Sequence, residues 1–444
     1  MAEMASTSLT SSSTTPLSML LVVTGASRGF GRAIAKQLVQ QVVATRTTRE
    51  DADEKIEKEA SGAESKNAQS SSSSKQVSNV TIILVARDTK GLQETSNIIF
   101  EELDQQQRES SCSSSSSSSS NKKKRKLDHD NDKTTTSNPS TSTTTTTTTR
   151  KYDEYNAIVT VICHTMDLSN LEQLDTNLDT ILQQVQLGYA GDEDDYNPSR
   201  HNYDSMILIN NAGSIGHVGN IITSPSLQDM IQNVNLNITS SLWISTRFLR
   251  HVKSLNVASS SPDATSSKSK TQPITFIVNV SSLTAIAKFP SLGIYSAGKA
   301  CRDKYHEIMA TELESKTGEE ANTNGSDDDD DDDDDGNKTY DDDDTTGTMN
   351  IKVINYAPGP LETQMVEEIR ASKELHPTLK PSFHQPLLQP EQSATKLIKL
   401  LLSSLADSDA AINNTDDDVD KNKKSSSYYY KFESGDHIDY YDLP

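Results

Sequence analysis

The stretch VNVSSLTAIAKFPSLGIYSAGKACR, residues Val278–Arg302, joins the end of a β-rich run to the start of a helical one. Ile274–Ser281 reads as a strand closing on a polar turn, and the chain from Tyr295 onward reads as a helix. Tyr295 and Lys299 are four residues apart, so on a helix they share one face. An ammonium beside a phenol favours the phenolate and lowers its pKa, so that Tyr295 can hand a proton to a carbonyl oxygen near neutral pH. Ser282, thirteen residues upstream at the strand end, can donate a second hydrogen bond to that oxygen and polarise it. Tyr-x-x-x-Lys alone occurs by chance in many helices, and its plain reading is an ordinary surface pair. The serine at a strand end is what makes the combination informative.

Outward from this stretch, apolar runs alternate with helical patterns. Met19–Thr24, Val80–Ala86, Ala157–His164, Met206–Asn210, Ile274–Val280, Asn350–Tyr356 and His437–Tyr440 read as strands. Arg32–Val43, Leu92–Leu103, Asn170–Leu187, Leu236–Lys253, Tyr295–Leu313 and Ala394–Leu405 read as helices. Alternation of this kind predicts an α/β fold: a Rossmann-like, doubly wound parallel sheet of about seven strands. The polar segments 43–78, 107–156, 188–204, 256–273, 316–349 and 406–430 read as disordered insertions, and 1–17 as a disordered N-terminus. Without the six insertions 264 residues remain, which suits one domain running from residue 18 to 444. Each insertion joins a helix end to a strand start. Ligands of a parallel sheet bind beyond the opposite, carboxyl ends of the strands, so such expansion spares the site.

Composition narrows the function. Apolar residues make up only 33% of the chain, as expected if a compact core shares it with long Ser, Thr and Asp runs. The net charge of −22 is mostly local: Asp327–Asp335 and Asp341–Asp344, offset only by Lys338, contribute −12. The mildly acidic remainder argues against nucleic-acid binding. Lys122–Lys126 can act as a nuclear signal or simply be solvated charge. Cys112, Cys163 and Cys301 fit neither a disulfide framework nor a zinc site, and His217, His251 and His437 have no ligand spacing, so no metal is expected. No apolar run approaches the ~20 residues of a membrane span. The few unclustered cysteines suit a reducing cytosol, so a cytoplasmic protein is expected. With no basic region ahead of it, Leu17–Val23 reads as a strand and not a signal peptide, and Glu3 and the lack of Arg weaken the alternative of a Ser/Thr-rich transit peptide.

Thr24-Gly25-Ala26-Ser27-Arg28-Gly29-Phe30-Gly31 lies between the first strand and the first helix. Glycines there allow a tight turn and close approach to a pyrophosphate, and the helix N-terminus supplies amide donors. The second strand ends Ala86-Arg87-Asp88, where an acidic residue would hold a ribose 2′-hydroxyl. Arg28 and Arg87 favour a 2′-phosphate and hence NADP(H); Asp88 is a counter-signal, or else pairs with one of them. Asp167-Leu168 ends the third strand, and Asp167 can accept from an adenine amino group or cap the next helix. Asn210-Asn211-Ala212-Gly213 ends the fourth, with side chains able to bind backbone or a cofactor ribose. Asn237 sits inside a helical pattern it disfavours, which suggests a specific job; an exposed Asn is the alternative.

Together Thr24–Gly31, Asn210–Gly213, Asn237, Ser282, Tyr295, Lys299 and Pro358-Gly359 resemble the short-chain dehydrogenases/reductases. Asn211–Gly216 (NAGSIG), Tyr295–Asp303 (YSAGKACRD), Asn355–Thr363 (NYAPGPLET) and Ser434–Asp442 (SGDHIDYYD) are similar to its members that reduce pterin side-chain ketones with NADPH. The resemblance implies a homodimer formed through the helices at Leu236–Lys253 and Tyr295–Leu313. It implies Tyr295 as proton donor, Lys299 as its tuner and a ribose ligand, Ser282 as carbonyl polariser and Asn237 as holder of a relay water. It implies Gly359 in the substrate site, and Asp439 as the anchor of a pterin's paired N–H donors. Asp436 and Asp442 are nearby rivals, and a solvated tail carboxylate is the plain alternative.

Three readings follow. One is an NADPH-dependent reductase of pterin side-chain ketones. A second is a general NADPH-dependent carbonyl or diketone reductase, because scaffold and catalytic set do not fix the substrate. The third is a non-catalytic NADP-binding interaction protein, against which the intact Ser282/Tyr295/Lys299 set argues.

Overall fold

The computed structural model describes residues 18–43, 78–113, 133–137, 143–152, 155, 157–187, 203–223, 226–259, 272–315, 350–413 and 431–444. The N-terminal 17 residues, the basic run 122–126 and the aspartate runs lie outside them. The parallel strands are β1 (Ser18–Thr24), β2 (Ser78–Ala86), β5 (Ala157–Thr165), β6 (Ser205–Asn210), β7 (Ile274–Val280), β8 (Ile351–Ala357) and β9 (His437–Asp439). The main helices are α1 (29–43), α2 (Thr89–Ser113), α3 (Leu171–Leu187), α4 (Leu227–Val234), α5 (Ser240–Ser259), α6 (Gly293–Ser315) and α9 (Pro390–Asn413). Two short ones, α7 (Gln364–Ala371) and α8 (Lys380–His384), follow β8.

The sheet order is β3-β4-β5-β2-β1-β6-β7-β8-β9, where β3 is Lys133–Ser137 and β4 is Thr145–Tyr152. From β1 the chain winds outward through β2 to β5, then crosses back to β6 on the other side of β1. That reversal opens a crevice at the carboxyl ends of β1 and β6. Strand β1 is buried on both faces, as parallel strands covered by helices are. Met19, Leu21 and Val23 pack with Ile34, Leu38 and Leu397 on one side. Leu20 and Val22 pack with Leu174, Leu178, Ile244 and Phe248 on the other. On α3 the apolar residues Leu174, Leu178 and Ile181 recur at helical spacing and are buried, with Glu172 in the first turn favouring the helix dipole. No described helix is long and apolar enough to cross a membrane.

The seven parallel strands agree with the sequence reading, but among the described residues the sheet has nine. Strands β3 (Lys133–Ser137) and β4 (Thr145–Tyr152) lie within the segment 107–156 that read as a disordered insertion. They extend the sheet antiparallel beyond β5. Threonine is β-branched and fits a pleated edge despite its low hydrophobicity. Thr149 meets Thr160 across the strands at 3.1 Å, and Arg150 ties β4 to Asp104 of α2 at 2.9 Å. The pair also covers the β5 edge, which would otherwise present unpaired backbone groups. Helices α2, α5 and α9 run further into their adjoining segments than the sequence suggested, ending at Ser113, Ser259 and Asn413.

Candidate active site

Strand β7 ends at Val280, and the next two residues already belong to the site. Ser282 is extended (φ −165°) and caps a short 3₁₀ turn by accepting from the Thr284 N–H at 3.2 Å, which fixes its side chain at the strand end. Tyr295 lies in the first turn of α6 and Lys299 one turn later. The Lys299 Nζ donates to the Val280 carbonyl at 2.5 Å and sits 5.5 Å from the centre of the Tyr295 ring. Ser282, Tyr295 and Lys299 all line one cavity of about 1000 Å³, shared with Gly25, Gly29 and Asp439. The three residues proposed from spacing therefore converge.

Their electrostatics differ from the sequence expectation. The Tyr295 phenol is pushed up from its usual pKa, chiefly by burial; a hydrogen bond with Ser282 and the charge of Arg302 pull it back only in part. Lys299 is pushed well below the usual lysine range, again by burial first and by Arg302 second, with Asp303 opposing. Burial disfavours the charged form of Lys299 and so opposes its tuning of the phenol. Desolvation outweighs the neighbouring ammonium in this dry corner, and Tyr295 keeps its proton at neutral pH.

Arg302 was not singled out from the sequence, yet it is fully buried. Its guanidinium donates to the Asn279 Oδ1 at 2.7 Å, to the Ala212 carbonyl at 3.1 Å and to the Asn210 carbonyl. It therefore clamps the ends of β6 and β7 to α6. His306, one turn on, donates from Nδ1 to the Arg302 carbonyl and accepts at Nε2 from Ser245, both at 2.8 Å. That leaves it neutral, and burial depresses its pKa to about 4. His164 on β5 is depressed to about 4 in the same way. A buried histidine of this kind stabilises the fold fully above its unfolded pKa near 6.5 and loses that contribution as pH falls toward 4, roughly 3 kcal/mol each. His437, held by Asp303, is shifted upward and works in the opposite sense. Thermal melts are expected to fall between pH 7 and pH 4.5. The fall should be shallower in His306→Gln, and an unchanged slope in that variant would remove His306 from the account.

The glycine loop is built as the spacing implied. Gly25 has φ +68°, and a Cβ there would come within 2.9 Å of Asn211 Nδ2 and Ala212 Cα. Asn211 braces the loop by donating to the carbonyls of Thr24 (3.0 Å) and Gly25 (3.2 Å), so its side chain binds backbone. Ser27, Arg28, Gly29 and Phe30 line the cavity. Gly31 does not, and instead lets α1 pack on the loop, where a Cβ would meet the Gly25 carbonyl at 2.4 Å. Ala212 and Gly213 line the opposite wall.

At the β2 and β5 ends, Arg87 and Asp88 line the cavity, with Arg87 exposed. Asp88 accepts from the Gly91 N–H at 3.0 Å and so caps α2 instead of pairing with an arginine. Asp167 faces Arg87 at 3.9 Å and holds the Ser169 N–H and hydroxyl at 2.9 and 2.7 Å. Its neighbours Met166 and Leu168 line the cavity, but Asp167 does not; its contacts to Ser169 close a turn ahead of α3, which starts only at Leu171, so it does not cap that helix either. Asn237 lies in a π-helical turn, Asn235–Thr239, between α4 and α5. Its amide pairs both ways with the Ser214 backbone, each at 2.8 Å, and donates to Asn233 at 2.7 Å. The side chain is thus committed to the loop after β6, though it packs beside Gly298, the residue before Lys299.

Gly359 (φ +77°) turns the chain after β8 and lines the cavity. Of the three C-terminal aspartates only Asp439 lines it; Asp436 accepts from the Glu433 N–H and Asp442 from the Asp439 N–H. Phe289, Leu292, Met365 and Phe383 make much of the remaining wall. Nothing in the local pattern marked these apolar residues, which come together only through the packing of α7 and α8.

The short chain dehydrogenase family model matches residues 201–317, the stretch holding Asn211, Asn237, Ser282, Tyr295 and Lys299. Over that stretch the chain is similar to the short-chain dehydrogenases/reductases. The chain is also similar to the sepiapterin reductase of Rattus norvegicus, which is 27% identical over 244 residues, 54% of this chain and 64% of the relative. Benzil reductase ((S)-benzoin forming) of Bacillus cereus is 23% identical over 218 residues, 49% of this chain and 62% of the relative. The match thus spans less than two thirds of either relative. A solved short-chain dehydrogenase/reductase from Saccharomyces cerevisiae has a TM-score of 0.46 and 15% identity, with 96% of each chain covered.

Proposed function

We propose that this chain is an NADPH-dependent reductase of carbonyl compounds, and that its substrate is a pterin with a side-chain ketone. The observation that carries the reading is the meeting of Ser282, Tyr295 and Lys299 with the glycine loop and Asp439 around one cavity. The glycine loop and the start of α1 fit a dinucleotide pyrophosphate, because Gly25 leaves the backbone bare and the helix N-terminus offers amide donors. Arg28 and Arg87, both exposed at the cavity, suit a 2′-phosphate. When bound, the reduced nicotinamide supplies the hydride. The chain's own part is to hold the carbonyl oxygen between two hydroxyls. Ser282 donates a hydrogen bond to it, and Tyr295, still protonated at neutral pH, delivers the proton as charge builds on that oxygen. Lys299 positions the tyrosine and offers a donor toward a ribose.

The test is NADPH oxidation with sepiapterin and with a small diketone. Turnover of the diketone alone supports the second reading, a general diketone reductase, which the benzil reductase relative favours. Turnover of neither leaves a non-catalytic binding protein. Cofactor choice has its own check. Arg87→Ala should raise the KM for NADPH about tenfold or more, as for loss of a charge-assisted hydrogen bond, with little change for NADH. Equal effects on both cofactors overturn the NADPH assignment.

A further inference from the structure

Asp303 lies one turn beyond Lys299 and two beyond Tyr295, at i, i+4 and i+8 on α6, so the three share one face of the helix. Its carboxylate is mostly buried and receives three donors. Asn279 Nδ2 reaches Oδ1 at 2.9 Å, while the Ser281 hydroxyl and His437 Nδ1–H both reach Oδ2 at 2.7 Å. Those donors come from three places that matter. Asn279 is the penultimate residue of β7, Ser281 immediately precedes Ser282, and His437 opens β9. The Asp303 carbonyl also accepts from Asn355 of β8 at 3.3 Å. Asn210, Asn279 and Asn355 stand in register across β6, β7 and β8, so this polar band runs along the end of the sheet.

Strand β9 is three residues long, sits at the sheet edge and, among the described residues, pairs only with β8. Three rungs are a weak anchor for an edge strand. Side chains alternate along a strand, so His437 and Asp439 project from the same face. The His437–Asp303 bond therefore pins the face of β9 that presents Asp439 to the cavity. We propose that Asp303 and His437 are a positioning pair that sets the span between Tyr295 at one end of the substrate and Asp439 at the other. The inference rests on the pterin reading above. A long substrate that touches both ends depends on this span, whereas a short diketone held by Ser282 and Tyr295 alone does not. The pair is then a specificity device outside the cavity lining, separate from the proton-transfer machinery.

The test uses two polar replacements of His437 in the full chain. His437→Asn keeps an N–H donor where Nδ1 stands. His437→Gln moves that donor to the place of Nε2, out of reach of Asp303. His437→Gln should lose about tenfold in kcat/KM for sepiapterin, close to the 1.4 kcal/mol expected of one lost charge-assisted hydrogen bond, and mainly through KM. Its kcat/KM for a small diketone and its KM for NADPH should stay within about twofold, and His437→Asn should recover most of the loss. Equal losses on both substrates, no loss on either, or an Asn variant as impaired as the Gln variant would each overturn the pair's role. Failure of the pterin reading is distinguishable, because it appears in the unmodified protein as diketone turnover without sepiapterin turnover and removes this proposal with it.

Discussion

Tyr295→Phe is expected to lower kcat by about 10²–10⁴-fold, the usual worth of general acid catalysis, while NADPH still binds and quenches the protein's fluorescence. The substitution keeps the ring that packs at the start of α6 and removes only the hydroxyl. That hydroxyl hydrogen-bonds Ser282, and the Lys299 Nζ lies 5.5 Å from the ring centre. Because burial pushes the phenol pKa up, the proton is present at neutral pH and needs no preliminary step to arrive. The same burial makes the phenolate that remains after transfer costly, so Arg302, whose charge lowers the Tyr295 pKa, helps to stabilise the product state. A Phe variant that keeps near-normal kcat with either carbonyl substrate would remove Tyr295 from the chemistry.

The parallel sheet and the convergence of Ser282, Tyr295 and Lys299 were legible because each rests on local pattern. Buried strands are apolar runs, helices carry apolar residues at their own period, and strand-to-helix turns of a parallel sheet face one edge. Three things were not legible, and each depends on partners distant in sequence. The first is β4, whose Thr145–Thr149 run looks like low-complexity filler until Thr160 and His164 of β5 meet it. The second is the direction of the Tyr295 shift. Spacing places a lysine beside the phenol but cannot weigh the desolvation of both. The third is Arg302-Asp303, which in the run GKACRDKYHE looks like an exposed charged pair on a helix. Charges in such a helix are ordinarily solvated. A signal was nevertheless present: Asn210, Asn279 and Asn355 each sit at or near the end of an otherwise apolar strand. Buried amides need partners, and the charged pair on α6 supplies both for Asn279, whose Oδ1 accepts from Arg302 and whose Nδ2 donates to Asp303.

Asp439→Asn is expected to cripple sepiapterin reduction, by about tenfold to a hundredfold in kcat/KM, while largely sparing a small diketone; loss of one charge-assisted bidentate contact accounts for that range. Among the three C-terminal aspartates the choice rests on geometry. Asp436 and Asp442 cap nearby backbone N–H groups, and only Asp439 lines the cavity. The Tyr441 N–H donates to Asp439 Oδ1 at 3.0 Å, which fixes the carboxylate's orientation and leaves Oδ2 and further lone pairs for a ligand. A pterin presents a 2-amino group and an adjacent ring N–H as two parallel donors on one edge. A carboxylate offers two acceptors at matching spacing, so clamping that edge directs the ketone at the far end of the molecule toward Tyr295. Asparagine is nearly the same size, so the Tyr441 contact and the packing of β9 can persist. One acceptor, however, becomes a donor facing a donor, and the charge is lost. A diketone has no such edge and should not register the change. Equal impairment of both substrates would make Asp439 a structural residue of the C-terminal turn. If neither suffers, the anchor lies elsewhere in the cavity, and the general diketone reductase becomes the better account of this site.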